Sequence, residues 1–435
     1  MVAVRFALAF SVLLGACPWA FAQTREEKVR NDKKEIEAEG RWIYNDFAAA
    51  RDEARRSGKP ILAVLRCIPC EECVKLDEEV IRQDPLIKKH LDSFVRVRLV
   101  STNGLDLSIF QFDTDQSFAV FFLEADGTVL GRFGTRSHRT DWRGDVSVEG
   151  LARAMEKALA LHAGYPGNQA TLKAKTGPKP DYPSPEKMPP LAGKFGPQLD
   201  YQGNVVKSCI HCHQIGDAAR ELALKQSGPL DDRTLFPFPH PKSIGLTLDP
   251  AHCATVLAVE DSSPAAKAGL KPGDNLATLQ GQPLLSIADV QWVLNAASPE
   301  GASMQGTFSR DGRESPFTLD LPKGWRHRDD FAWRASTWGL RRAALGGIFF
   351  KPGTGANQGN LVIEHVGAFA PHDVAKRAGF QKGDVLVSWD GKADFTRETD
   401  LICHMLQTRA GNREPVRVTI QRDGVEKELK LATNR

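Results

Sequence analysis

The sequence predicts a multidomain fold, α/β in its N-terminal part and α+β/β in its C-terminal part. Three observations predict it. The chain has 435 residues, too many for one hydrophobic core, which points to two to four domains. Residues 41–165 alternate helical and strand patterns in the order α-β-α-β-β-β-α. Residues 243–433 carry one strand–helix pattern twice, an internal repeat. Composition is that of a globular protein, with 41% hydrophobic and 26% charged residues. A net charge of +3 gives no concentrated basic face, so no nucleic-acid partner is expected.

Residues 1–22 read as a signal peptide. Arg5 precedes an apolar run from Phe6 to Leu14, and Ala20-Phe21-Ala22 fits the A-x-A cleavage pattern. A second reading takes Leu14-Gly15-Ala16-Cys17 as a lipobox, in which Cys17 becomes a lipid anchor. Both readings make the mature chain exported, periplasmic or a lipoprotein, with no transmembrane segment after signal removal. The compartment is then oxidising. Residues 23–40 are a charged leader helix, expected to be solvated.

Within 41–165, a helix is expected up to Gly58, with Pro60 beyond its stop. "ILAVLR", 61–66, is a continuous apolar run suited to a buried strand. "FVRVRLV", 94–100, alternates as a strand does. Residues 117–134 read as a hairpin turning at Ala125-Asp126-Gly127, and "SVEGLARAMEKALALHA" closes the unit as an amphipathic helix. Residues 166–200 are rich in Pro, Gly and Lys and are expected to form an extended, semi-rigid linker.

Besides Cys17, seven cysteines remain, and five of them cluster in two motifs. The first is "RCIPCEEC". A buried strand delivers Cys67-Ile68-Pro69-Cys70 to a helix start, which lowers the pKa of the first thiol while the second can resolve a mixed disulfide. An inert disulfide, or a copper or zinc clip made with Cys73, are the other readings. The second motif is "SCIHCH" in segment 201–242. Cys209, Cys212 and His213 have the C-x-x-C-H spacing, of which chance supplies only about 0.004 matches in this composition. In c-type cytochromes such cysteines form thioethers to one haem and the His is the proximal iron ligand. One covalent haem c is therefore expected, with Met188 and His240 as candidate distal ligands. A zinc site lacks a second Cys/His pair nearby.

The repeats, at 243–322 and 345–433, share "AGLKPGD" and "AGFQKGD", then a strand, a turn and a helix. Hairpin turns are expected at Asp311-Gly312 and Asp423-Gly424. The connector 323–344 holds Trp325, Trp333 and Trp338 among arginines, a pattern for Arg–Trp stacking between the repeats. Cys253, Cys403 and His404 are expected to be core or surface residues.

Residues 41–165 resemble the thioredoxin-like superfamily, in which strand, C-x-P-C and helix follow in this order. By that resemblance Cys67 is the attacking thiolate and Cys70 the resolving thiol. Arg66 stands where thioredoxins carry Trp, and "TDQSFAVFF" lacks the proline that faces the dithiol in that family. The repeats resemble PDZ domains. This implies peptide C-termini as partners, held by backbone N–H groups of Ile244, Gly245 and Leu246, with Gly346-Gly347-Ile348-Phe349 as the second counterpart. No G-[ND]-S-G-G stretch occurs, so a protease is not expected. The complete order resembles a family of bacterial thioredoxin-like/PDZ (seleno)proteins. The expectation is an exported redox protein, a thiol–disulfide oxidoreductase or electron-transfer protein with an unidentified redox partner. The alternative is a PDZ scaffold with a degenerate thioredoxin-like domain.

Overall fold

The computed structural model describes residues 23–66, 85–116, 118–135, 146–252 and 254–432. Among the described residues no helix is long and apolar enough to cross a membrane.

The leader is helix α1 (Arg25–Glu39). Thr24 and Glu27 form a reciprocal capping box at its start, and Gly40 closes it in the left-handed region. It is not wholly solvated as expected. Val29 and Ile36 are buried, Asp32 holds the buried Arg98 at 2.6 Å, and Glu26 accepts the N–H groups of Val205 and Val206. A charged helix can be anchored in this way because its carboxylates answer donors that would otherwise be left unpaired.

The α/β unit is a five-stranded sheet in the order β1-β3-β2-β4-β5. The strands are β1 (Ile43–Tyr44), β2 (Ile61–Arg66), β3 (Val95–Leu99), β4 (Phe118–Leu123) and β5 (Val129–Thr135). β1, β3 and β2 run parallel, while β4 and β5 are antiparallel to their neighbours. β2 lies in the middle and is buried throughout, as its continuous apolar run requires. Its alternate residues serve two cores. Leu62 and Val64 pack with Ile87 and Leu91 of α3 (Pro85–Leu91) and Leu151 and Met155 of α4 (Val148–Ala163). Ile61, Ala63 and Leu65 pack with Ala50 and Ala54 of α2 (Phe47–Ser57).

Residues 166–200 differ from the extended linker the composition suggests. They run as short turns that bury Leu172, Lys175, Met188 and Leu191. The strap is tied to the loop after β3. Leu107 N–H donates to Pro183 O at 3.0 Å, and Gly104 N–H donates to Glu186 at 3.0 Å. A Pro-rich segment makes few backbone bonds of its own, so its carbonyls are available to a neighbour. α5 (Cys212–Lys225) follows.

The first repeat holds β6 (Leu246–Leu248), β7 (Val256–Val259), β8 (Asn275–Leu279), β9 (Gln282–Pro283), α6 (Ile287–Ala296), β10 (Ala302–Arg310) and β11 (Arg313–Leu321). The connector forms α7 (Trp338–Leu345). The second repeat holds β12 (Ile348–Pro352), β13 (Leu361–Val366), β14 (Val385–Trp389), α8 (Glu398–Cys403), β15 (Val416–Arg422) and β16 (Val425–Leu431). Both hairpins turn where expected, with Asp311-Gly312 and Asp423-Gly424 at positive φ.

The shared G-D signature has a structural cause. Asp274 accepts Lys271 N–H at 2.8 Å and pairs with Arg310 Nε at 2.6 Å. Asp384 accepts Gln381 N–H at 2.9 Å and pairs with Arg422 Nε at 2.6 Å. Each Asp thus caps a turn and ties it to the arginine that closes a hairpin strand.

Among the described residues, buried ionic clusters join the modules, two of them at the α/β unit. Arg334 of the connector, 1% exposed, meets Asp113 at 2.5 Å and Asp115 at 3.2 Å in the α/β unit, and donates to Pro237 O at 2.6 Å. Ser336 N–H and Oγ add 2.9 and 2.7 Å bonds to Asp115, and Arg220 of α5 donates to Ser336 Oγ. Gly216 lets α5 approach Thr114 and Ser336 this closely. The second cluster joins β5, the strap and α6. Lys175 Nζ reaches Asp289 at 3.0 Å, Arg132 N–H reaches the same carboxylate, and the Arg132 guanidinium lies 3.9 Å from the Trp292 ring centroid. Gly131 permits the contact, since a Cβ there would strike Leu285. Burial lowers the Arg132 guanidinium to about 10 against the pull of Asp289.

Removing one partner of such a cluster leaves the other charges buried and unpaired. Arg334→Met should therefore cost about 3–5 kcal/mol in chemical denaturation. Arg55→Ala, which breaks an exposed pair with Asp52, should cost under about 1 kcal/mol.

Candidate functional site

The cysteine motif of α5 is built onto the carboxyl edge of the α/β sheet. Thr102 N–H and Oγ–H both donate to the Ile210 carbonyl, at 3.0 and 2.9 Å. Asn103 Oδ1 accepts Ile210 N–H at 2.8 Å, and Asn103 Nδ2 donates to Ser208 O at 2.9 Å. The loop after β3 therefore grips Ile210 from both sides, with Cys209 and Cys212 flanking it. Cys209, 8% exposed, packs with Val29, Val100, Leu199 and Val205. Cys212 opens α5 and is half-buried against the core that holds Leu65 and Leu99. A cavity of about 10 Å³ is lined by Leu65, Arg66, Thr102, Cys209, His211 and Cys212.

His211 begins α5 as its cap, with its N–H donating to Gln214 Oε1 at 2.7 Å. Its ring stacks on His213, with centroids 5.8 Å apart. Burial, then His213 and Arg25, push the His211 imidazole down to about 4, so it is neutral at pH 7. His213 is half-exposed, and its Nδ1 lies 3.2 Å from Asp217.

These positions bear on a haem. His213 fits a ligand's role, because a carboxylate on Nδ1 orients an imidazole for metal binding. The two thiols do not fit. A cofactor pocket takes on the order of 300 Å³ or more, and the cavity both thiols share holds about one water. A larger cavity of about 510 Å³ is lined by Met188, Ile215, Ala219 and Leu222. His213 precedes Ile215 by two positions, which puts it on the other side of α5 from that cavity and from Met188. His240 caps a turn at the start of the first repeat, with Nδ1 accepting Lys242 N–H at 3.2 Å, and its own N–H donates to Asp329. Among the described residues no group of three His, Cys, Asp or Glu could hold a metal ion.

The dithiol Cys67 and Cys70, with Cys73, Ser117 and Cys253, lies outside the described residues. Arg66, the residue before Cys67, is described and buried in the wall of the small cavity.

In the first repeat Ile244 and Leu246 are buried, and Gly245 has a φ of 80° with its N–H donating to Lys242 O at 3.0 Å. Helix α6 is buried from Ile287 to Leu294. Phe238 lies along it, with Phe238 N–H donating to Asn295 and Gln291 donating to Phe238 O. In the second repeat Gly347 N–H donates to Arg341 O. Phe350 N–H donates to Glu398 Oε1 at 2.8 Å, and Glu398 pairs with the buried Arg341 at 2.7 Å. Burial pushes Glu398 up against the pull of Arg341. Cys403 and His404 are buried; His404 pairs with Asp390 at 2.9 Å, and burial raises the Cys403 thiol.

Sequence reasoning did not anticipate the charges at Asp113, Asp115, Arg132, Lys175 and Asp289. No motif marks them, and only the Trp/Arg richness of the connector hinted at its part. Its stacking is as expected, with Arg326 over Trp325 and Arg341 over Trp338.

A thioredoxin-like family profile matches residues 42–125, and a PDZ-domain profile matches residues 242–321. The chain thus contains a thioredoxin-like domain and a PDZ domain. No curated protein matches it. Among solved structures it is similar to the serine endoprotease from Yersinia pestis, at 20% identity over 18% of this chain and 28% of that one, with a TM-score of 0.16. It is also similar to "HtrA-type protease AlgWS227A with decapeptide", at 14% identity over 29% of this chain and 39% of that one, with a TM-score of 0.18. The chain spans less than half the length of either structure.

The folded state disfavours the charged form of His211, so the stability this contributes is present above pH 6.5 and is lost as pH falls toward 4. Hydrogen exchange of residues 208–214, corrected for its intrinsic pH dependence, should quicken across that window. His211→Phe should flatten the response.

Proposed function

We propose that this chain is an exported thiol–disulfide redox protein whose reacting dithiol is Cys67 and Cys70 of the thioredoxin-like domain. One observation carries the reading. β2 is buried in the middle of the sheet from Ile61 to Arg66, and the next residue in sequence is Cys67. A rigid strand end gives the following thiol a fixed origin, and the helical pattern after it favours a thiolate. Cys67 then attacks one sulfur of a disulfide substrate, forming a mixed disulfide and releasing a thiolate. Cys70 attacks Cys67 Sγ, releasing the second thiol and leaving a Cys67–Cys70 disulfide, so two electrons pass to the substrate. The PDZ domain recruits the partner by its C-terminus at the loop Ile244-Gly245-Leu246, in which the Gly245 N–H is already bonded to Lys242 O. An export signal ending at Ala22, or a lipid on Cys17, places the protein in the periplasm, where such exchange is useful.

A second reading keeps a covalent haem c on Cys209 and Cys212, with His213 as proximal ligand. The Asp217 carboxylate on His213 favours it. It requires residues 209–212 to leave their seat on the loop after β3.

Cys67→Ser should lower insulin-disulfide reduction by the full-length protein by about 100-fold or more. Unchanged activity would reduce the domain to an interaction module and leave the scaffold role. Intact mass and a pyridine haemochrome spectrum, on protein made with haem-attachment machinery, decide the second reading: a covalent adduct supports it and its absence removes it.

A further inference from the structure

We propose that the cavity of about 510 Å³ between the strap and α5 binds a small amphipathic amine, an alkyl- or arylalkylammonium with its apolar body inside and its charged head at the mouth. The proposal rests on neither redox reading: Cys209 and Cys212 line a different cavity, and no electron is transferred here.

The volume lies within the range of about 300–1,000 Å³ that small-molecule sites take. Four segments build the wall. Leu107 comes from the loop after β3, Tyr182 and Met188 from the strap, Ile215 and Leu222 from α5, and Leu230 from the turn that follows α5. Ile215, Ala219 and Leu222 stand at i, i+4 and i+7, so one face of α5 forms a continuous side. Met188, Ile215 and Leu230 are buried, which makes the floor apolar, and an apolar body that covers it removes that surface from water. The wall is also held in place. Leu107 N–H donates to Pro183 O at 3.0 Å, Leu230 N–H donates to Leu406 O at 3.0 Å, and Gln407 Nε2 donates to Leu230 O at 3.1 Å. The thioredoxin-like domain, the strap and the second repeat thus meet around one space, and ligand sites favour such junctions. A site already shaped spares a ligand the cost of ordering it.

The mouth selects the head group. Among the described residues, the charged side chains of the wall are carboxylates, those of Asp181 and Asp231. Both residues are exposed, so charge sits at the rim and apolar surface at the floor. Asp231 Oδ1 accepts Thr234 N–H at 2.8 Å, and its charge is shared with the Arg326 guanidinium. Asp181 therefore contributes more of the attraction. The half-buried Tyr182 adds an aromatic ring, which attracts an ammonium further. A carboxylate ligand would meet charge of its own sign, and an alcohol would gain nothing from it. Because the rim is exposed, its charges are screened by salt; they choose the head, while the apolar floor holds the body.

The probe is 4-phenylbutylamine, with 4-phenylbutan-1-ol and 4-phenylbutanoate as controls that keep the same body and change the head. Each is titrated calorimetrically into the full-length protein at low salt. The expected result is saturable one-site binding of the amine, with a Kd of about 1 mM or tighter, about threefold or more weaker for the alcohol and weaker again for the acid. Hydrogen exchange at saturation should slow in residues 181–188 and 219–231. No saturable binding of the amine, a smaller preference for it, or protection confined to other segments overturns the proposal. Asp181→Asn should remove most of the preference for the amine, and Asp231→Asn, which keeps a capping residue, should remove less. A double Asp181→Asn/Asp231→Asn variant that keeps the preference overturns the choice of head group. Ala219→Trp, at an exposed position of α5, fills the cavity and should weaken binding about tenfold or more with the Tm retained. Undiminished binding by that variant places the ligand elsewhere and overturns the site; if it fails to fold, the paired asparagine variants and the exchange pattern decide.

Discussion

The architecture depends on Arg334. A guanidinium 1% exposed loses nearly all its hydration, and only carboxylates held in good geometry offset that loss. Asp113 and Asp115 supply them from the loop between β3 and β4, while Ser336 and Arg220 complete the pairing of Asp115. Burial acts to lower Arg334, but the two aspartates override it and raise it. Burial likewise acts to raise Asp115, but Arg334 and Arg220 hold it below the usual carboxylate range. The connector, α5 and the thioredoxin-like domain thus meet at one ionic point that none could bury alone.

The site follows from that anchorage. Once α5 is fixed through Arg220 and Gly216, its first turn lands on the loop after β3, where Thr102 and Asn103 grip Ile210. The leader helix closes the other side through Val29 and the Glu26 bonds to Val205 and Val206. A C-x-x-C-H pair that would face a porphyrin in another setting here faces Arg66 and a space of about 10 Å³. The repeats are drawn into the same logic. Asp289 answers Lys175 across the first boundary, and Glu398 answers Arg341 and the Phe350 N–H across the second.

Much of the fold was legible along the chain. The apolar run 61–66 had to be a buried strand, and the Asp-Gly pairs had to turn hairpins, because local chemistry leaves little else. The strap was less legible. Pro and Gly mark the lack of regular structure, but they do not say whether a segment floats or is pressed onto a neighbour, as Lys175 and Leu191 are. The leader misled for the opposite reason. Fifteen residues with two buried apolar side chains look solvated until Asp32 finds Arg98.

The sequence by itself determined the modules: a strand ending at a C-x-P-C motif, a C-x-x-C-H motif, and two copies of a G-D turn. These rest on period, turn chemistry and spacing, which neighbours in the chain suffice to specify. Only the tertiary structure decided what the second cysteine motif faces and how the modules lock together. Those outcomes depend on pairing charges 100 or more positions apart, such as Arg334 with Asp113 and Lys175 with Asp289, and on the volume left beside two thiols. Neither quantity has a local signature.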